Sequence, residues 1–193
     1  MRHDFSDTER FAAIFDAEDR DEWQKPEEVV ALMQIEPGMV VADLGAGTGY
    51  FLPHISRALN GEGEVHGLDT EAAMVEYMNE RITRENIANA SARVVDPAMP
   101  GFAPESVDRV LIVDTWHHIE DRVAYGEKLL AGLRAGGRVV IVDFTQETDM
   151  GPPREHRVRI EQVQRELEEA GFVVEIADES LPDQFVVIGT KGA

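Results

Sequence analysis

The chain has 193 residues, of which 43% are hydrophobic, so it can bury the core of one α/β domain. It has no cysteine, which excludes disulfides, thiolate metal sites and cysteine nucleophiles. The formal net charge of −20 repels phosphate backbones and anionic lipid, and no apolar run reaches the roughly 18 residues that cross a bilayer. We therefore expect a cytoplasmic monomer or homodimer that binds neither nucleic acid nor membranes.

The first 24 residues precede the regular pattern of strands and helices. Phe11, Ile14 and Phe15 recur at helical spacing among charged residues, which predicts a short amphipathic helix. We interpret residues 1–24 as an N-terminal helical lid segment and residues 25–193 as a single domain.

A glycine-rich turn follows the first predicted strand, which covers about Met39 to Asp43 and ends on an acid. The glycines stand at alternate positions, Gly45, Gly47 and Gly49. The apolar pattern of a helix begins directly after them, at about Tyr50, and ends near Leu59. A strand, a tight turn and a helix start in this order form the first half of a βαβ unit.

The spacing of the glycines argues against a dinucleotide as the ligand. Dinucleotide-binding turns have the pattern G-x-G-x-x-G, whereas Tyr50 stands here in place of the last glycine. Asp43 precedes the turn directly, and its charge would repel a pyrophosphate but attract an ammonium or a sulfonium group. An NAD-dependent oxidoreductase remains the alternative on this motif.

The second predicted strand, Glu64 to Asp69, also ends on an acid, and a helix follows over Ala72 to Arg84. A carboxylate at this strand end accepts hydrogen bonds from ribose hydroxyls in folds of this shape. Alternatively, Asp69 is an ordinary cap of this helix; both roles are compatible if Thr70 caps the helix while Asp69 faces the ligand. The third strand, Ala92 to Val95, is followed by Asp96.

The second half of the domain contains further strands and helices, and no internal repeat. The fourth strand covers Val107 to Val113, the fifth Arg138 to Phe144, and helices are predicted over Arg122 to Leu133 and Val158 to Ala170. The last two strands are expected over Phe172 to Ile176 and Phe185 to Gly189. Their connection is too short for a crossover helix, so they should pair antiparallel.

The motif D-L-G-A-G-T-G, Asp43 to Gly49, resembles that of the class I S-adenosylmethionine-dependent methyltransferases, and most of all the small bacterial type 11 group. The resemblance implies a Rossmann-like three-layer α/β/α sandwich. Its seven-stranded, mostly parallel sheet has an antiparallel last strand and the order 3-2-1-4-5-7-6. It also implies S-adenosyl-L-methionine as cofactor, bound by Asp43, Gly45, Ala46, Gly47, Gly49, Asp69, Thr70, Asp96 and Asp114.

The loop after the fourth strand should face the transferable methyl group, because ligands bind where the strand order reverses. A base is needed only for a hydroxyl or a protonated amine acceptor, and the candidates are His117, His118 and His156. A metal site that combines some of these histidines with Asp114 and Asp143 is chemically feasible. The spacing has no ligand signature, however, so no metal is predicted.

Two tryptophans, Trp23 and Trp116, are candidates for the wall of the substrate pocket. The sequence thus predicts a methyltransferase that acts on an oxygen or nitrogen, or else a carbon, of a small molecule. Besides the oxidoreductase, a catalytically silent protein that binds the cofactor as a partner subunit stays open as an alternative.

Overall fold

Seven strands form one sheet in the computed structural model, which describes residues 15–17 and 19–192. The strands are β1 (Val40–Leu44), β2 (Glu64–Asp69), β3 (Ala90–Val94), β4 (Val107–Val113), β5 (Leu133–Phe144), β6 (Val173–Ile176) and β7 (Gln184–Thr190). The α-helices in the described residues are α1 (Arg20–Gln24), α2 (Pro26–Leu32), α3 (Leu52–Ala58), α4 (Ala72–Arg84), α5 (Arg122–Gly132) and α6 (Ile160–Glu169). Short 3₁₀ helices cover Trp116–His118 and Arg154–His156.

The strand order is β3-β2-β1-β4-β5-β7-β6, which confirms the predicted topology. The strands from β3 to β5 pair in parallel, whereas β7 pairs antiparallel with both β5 and β6. The chain order reverses between β1 and β4, which are hydrogen-bonded neighbours. Loops from the carboxyl ends of these two strands therefore meet at one place.

The core is divided between the two faces of the sheet, because successive strand residues point to opposite sides. Leu111 packs with residues of α2, α3 and α4, while its neighbours Val110 and Ile112 pack with α5 and α6. The three layers follow from this alternation. In residues 15–17 and 19–192, no helix has both the length and the apolar character needed to cross a bilayer.

The largest boundary error concerns β5, which begins at Leu133 and not at Arg138. Leu133 pairs with Val107, and the next pairing, Arg138 with Arg109, follows after a shift of register. The intervening Gly136 has φ of 72°, a left-handed backbone conformation that accompanies this irregularity within the strand.

The predicted N-terminal lid falls only partly within the described residues. Its proposed amphipathic positions Phe11 and Ile14 lie outside them. Within them, the ring of Phe15 lies against Gly47, since a Cβ on Gly47 would come within 3.5 Å of that ring. Asp16 accepts hydrogen bonds from Thr48 Oγ1 (2.9 Å) and from Arg81 (2.8 Å). These contacts hold the described end of the segment over the glycine turn.

Candidate functional site

The glycine turn after β1 is folded tightly against β2 and the loop after β4. The backbone N–H groups of Gly45 and Ala46 both donate to the carbonyl oxygen of Leu68, at 2.8 and 3.1 Å. Gly45 has φ of 74°, and a Cβ on it would lie 2.3 Å from Thr115 Oγ1. A side chain at this position would be strained and would also clash, so the requirement for glycine is local and steric.

Asp69 connects the end of β2 to this turn. One oxygen of its carboxylate accepts from the N–H of Gly47 at 2.8 Å, and the other accepts from the N–H of Glu71 at 3.0 Å. Burial raises the pKa of Asp69, and these backbone hydrogen bonds oppose the rise. The structure therefore brings Asp69 and Gly47 together, as the cofactor assignment requires.

Of the two predicted caps at the start of α4, Thr70 was wrong, whereas Asp69 does bind a backbone N–H of the helix start. The exposed Thr70 makes no side-chain cap, and the N-cap position is Glu71, whose N–H is bound by Asp69. The Asp69 carboxylate takes the place expected for the Thr70 hydroxyl, because it reaches the N–H of Glu71 and carries the negative charge that a helix start favours.

Two acids, the buried Asp43 and the half-buried Asp114, lie at the ends of the adjacent strands β1 and β4. Burial raises the pKa of each to about 7. Neighbouring charges contribute to these values: Asp69 raises the pKa of Asp43, Asp143 raises the pKa of Asp114, and the Arg20 guanidinium lowers both. Asp114 has φ of 51°, an uncommon value for a residue with a side chain. The site therefore holds two carboxyl groups whose ionisation depends on a nearby cation.

His117 forms a buried pair with Asp143, the penultimate residue of β5. Its Nδ1 lies 3.0 Å from both carboxylate oxygens, and the two side chains are 4% and 0% exposed. One of these oxygens also accepts from the N–H of Phe144. An ionised Asp143 requires the proton of a neutral His117 to be on Nδ1, which leaves the lone pair on Nε2. The geometry is that of a histidine oriented by a carboxylate.

A chain of buried amides connects this region to α1. Gln24 Nε2 donates to Gln184 Oε1 at 2.6 Å, and Gln184 Nε2 donates to Asp114 Oδ1 at 2.7 Å. The two glutamines are 0% and 2% exposed. Helix α1 is thereby positioned directly over the ends of β4 and β7.

The remaining predicted site residues fall into two groups. Trp23 is half-buried, and its ring lies 6.2 Å from that of Phe144, the residue that follows Asp143 in β5. The exposed His118 has its ring 4.1 Å from that of His117. His156 and Asp96 are both exposed, and the Asp96 carboxylate accepts from the N–H of Ala98. Trp23 thus contacts the end of β5 and His118 contacts His117, whereas His156 and Asp96 make no contact with the site among residues 15–17 and 19–192.

Trp116 is a core residue. Its side chain is wholly buried, its ring meets that of Tyr125 edge-on, and its Nε1 donates to Glu166 at 2.9 Å. Glu166 in turn pairs with Arg122 at 2.9 Å. The polar atom of the indole is satisfied inside the protein, so Trp116 is not retained as a substrate-wall candidate.

The metal set considered from the sequence is not assembled. Within the described ranges, no three side chains among histidines, aspartates and glutamates are grouped so that they could hold a metal ion.

Sequence reasoning missed Arg20, Gln24 and Gln184, and it considered Asp143 only as a metal ligand. Asp143 had a usable signal, because it follows a buried strand in the same way as Asp43 and Asp69. The other three had none, since polar residues on a five-residue helix or at a strand start are ordinary surface residues by pattern alone.

Comparisons with known proteins agree with this geometry. A family model described as a methyltransferase domain matches residues 35–182. A solved structure of a SAM-dependent methyltransferase from Aquifex aeolicus superposes with a TM-score of 0.89 and 26% identity, over 98% of this chain and 99% of that one.

The chain matches less than half the length of several curated relatives, whereas it matches nearly all of the Aquifex aeolicus structure. Aklanonic acid methyltransferase DauC of Streptomyces sp. (strain C5) is 30% identical over 53% of this chain and 46% of its own. Arsenite methyltransferase of Halobacterium salinarum is 26% identical over 81% of this chain and 43% of its own. Other matches are named phosphoethanolamine N-methyltransferase and ubiquinone/menaquinone biosynthesis C-methyltransferase. The chain thus spans less than half the length of these relatives.

Proposed function

Because this chain belongs to the S-adenosylmethionine-dependent methyltransferase family, we propose that it transfers a methyl group to an oxygen or nitrogen atom of a small-molecule acceptor. The observation that carries the choice of atom is the buried His117–Asp143 pair next to Asp114. Hydroxyl and protonated amine acceptors need a base, whereas an already nucleophilic acceptor does not.

The residues of the site fit S-adenosylmethionine. Asp69 would accept from the ribose hydroxyls, and the bare backbone at Gly45 and Gly47 would let the ligand approach closely. Asp43 and Asp114 would supply the negative charge that a cationic ligand favours. When bound, the cofactor supplies an electrophilic methyl group on a sulfonium sulfur, which leaves as a neutral thioether and needs no acid.

We expect Asp69→Ala to weaken the binding of S-adenosylhomocysteine by about 1.5–3 kcal/mol, because charge-assisted hydrogen bonds to the ribose are lost. Isothermal titration calorimetry measures the effect directly. The matched control is Glu62→Ala, an exposed acid ahead of β2, which should leave affinity unchanged. Equal affinity in wild type and Asp69→Ala would show that Asp69 serves only the backbone of the turn and of α4.

His117 is the base in this proposal. Its Nε2 lone pair would take the proton of the acceptor as the new bond forms, and Asp143 would stabilise the resulting imidazolium. The nearby Trp23 and Phe144 would form an aromatic wall of the acceptor pocket. The exposed His118 is the second candidate for the base, since its ring contacts that of His117.

Two features of composition support a small acceptor that is not arsenite. A net charge of −20 makes docking of RNA or DNA unfavourable. Although one relative is named an arsenite methyltransferase, this chain has no cysteine with which to hold arsenic as a thiolate complex.

The test is transfer of an isotope-labelled methyl group from S-adenosylmethionine into a cell extract, followed by separation of small molecules, protein and nucleic acid. We expect the label in small molecules, each heavier by one methylene. Label in the protein or nucleic-acid fraction would contradict the proposed acceptor class. Cofactor binding with no label in any fraction would favour the catalytically silent alternative.

A further inference from the structure

The Arg20 side chain on α1 lies inside the proposed cofactor cleft. Its guanidinium lies 3.9 Å from the ring centroid of Tyr50, the residue directly after the glycine turn. One nitrogen of its fork donates to the backbone carbonyl oxygen of Phe15, and the other donates to Gln24 Oε1 at 3.2 Å. Arg20 is therefore held in place by α1 and by an aromatic face.

The hydrogen bonds of Arg20 leave its charge incompletely satisfied. Both acceptors are neutral oxygens, and the buried Nε–H has no hydrogen-bond partner among the described residues. Burial lowers the pKa of Arg20, while Asp114, Tyr50, Asp16 and Asp43, in that order, oppose this, and none of these groups accepts a hydrogen bond from Arg20 among the described residues. A buried guanidinium with an unused N–H is costly unless an anion completes its set of acceptors.

The order of the strands indicates which part of the cofactor reaches Arg20. Asp69 ends β2 and would hold the ribose, while Asp43 and Asp114 lie on β1 and β4, further toward the switch in strand order. Because Asp43 and Asp114 would attract the sulfonium and ammonium groups, a nucleoside whose ribose is at β2 would direct its amino-acid end toward β1 and β4. That end is zwitterionic, and a cleft containing only Asp43 and Asp114 would repel its carboxylate.

We propose that Arg20 binds the carboxylate of the amino-acid end of S-adenosylmethionine, with its planar fork and its unpartnered Nε–H as donors. This inference rests on the proposed function, because it assumes the same cofactor in the same cleft. Arg20 thereby makes α1 part of the cofactor site. The two acids bind the cationic groups of the ligand, and Arg20 binds its anionic group.

The test is a thermodynamic cycle with two changes: the carboxylate is removed from the ligand, and the guanidinium is removed from the protein. Binding of S-adenosylmethionine and of decarboxylated S-adenosylmethionine is measured by calorimetry for wild type and Arg20→Gln. We expect wild type to prefer the carboxylated ligand by about tenfold or more, and Arg20→Gln to reduce this preference to less than about threefold. Arg20→Lys should fall between them, because it keeps the charge and loses the fork.

Arg57→Gln is the matched control, because it removes an arginine on α3 whose side chain is 67% exposed. This variant should keep the full preference for S-adenosylmethionine over the decarboxylated ligand. Equal binding of both ligands by wild type would overturn the inference even if Arg20→Gln does not fold. A full preference retained in Arg20→Gln would overturn it too. So would tighter binding of S-adenosylmethionine by Arg20→Gln, because the guanidinium would then merely fill the cleft. Failure of wild type to bind either ligand would instead refute the proposed function.

Discussion

Asp43→Asn is expected to stabilise the ligand-free protein above pH 7 and, at the same time, to weaken cofactor binding. Burial raises the pKa of Asp43 from 3.8 to about 7. Ionising this carboxyl group therefore costs free energy in the folded state that it does not cost in the unfolded state. The contribution of this group to stability is complete below pH 3.8 and is lost as the pH rises to about 7. Asparagine has the same shape and no charge, so it avoids that loss.

The expected gain in the free energy of unfolding at pH 8 is about 2–4 kcal/mol, since each pKa unit corresponds to about 1.36 kcal/mol. At pH 4 the gain should nearly vanish, because Asp43 is then protonated when folded. Urea unfolding of variant and wild type at both pH values measures it, with the exposed Asp178→Asn as control. Calorimetry with S-adenosylmethionine at pH 8 measures the loss of affinity.

A variant that is less stable than wild type at pH 8, or that binds the cofactor equally well, would contradict this reading of Asp43. The first result would mean that the carboxylate is stabilised by the ligand-free fold, and the second that it does not face the cationic groups of the ligand. The diagnostic result is that the same substitution raises the free energy of unfolding and lowers the affinity for the cofactor.

His117→Gln is expected to reduce turnover by about 10²–10⁴-fold, because a general base contributes a factor of this size. Affinity for S-adenosylhomocysteine should stay within about twofold, since His117 is assigned to the acceptor and not to the cofactor. Asp143→Asn should also lower turnover, because an amide can donate to Nδ1 and favour the wrong tautomer. Single-turnover kinetics with the acceptor found by label transfer separates these effects from product release.

His66→Gln is the control, because His66 contacts Ser91 Oγ on the neighbouring strand β3 and lies away from the loop after β4. Normal turnover in His117→Gln, together with a large loss in His118→Gln, would assign the base to His118. Normal turnover in both variants would show that the acceptor needs no base from this pair.

The strands and helices were predictable because they depend on local patterns, whereas the strand order was what the resemblance to the methyltransferases implied. Buried runs that end on an acid, as at Asp69, identify strands whose carboxyl ends face the ligand. The short link before Phe185 forces an antiparallel pair whatever the rest of the chain does. The position of β2 and α4 follows from the same periodicity, and their predicted bounds match those observed.

Contacts between distant parts of the chain could not be predicted in this way. The hydrogen bond from Gln24 to Gln184 joins residues 160 positions apart, and nothing in either local sequence indicates the partner. Trp116 shows the same limit, since the sequence cannot distinguish an indole that lines a pocket from one that donates to Glu166, 50 positions away. The contacts of α1 with the ends of the strands therefore emerged only from the structure.

Calorimetric titration of the wild-type protein with S-adenosylhomocysteine and, separately, with NADH tests the central claim most directly. We predict binding of S-adenosylhomocysteine with a dissociation constant in the micromolar range or below, and no measurable heat of binding with NADH. Binding of NADH without binding of S-adenosylhomocysteine would contradict the assignment of the cleft beside Gly47 to a sulfonium nucleoside.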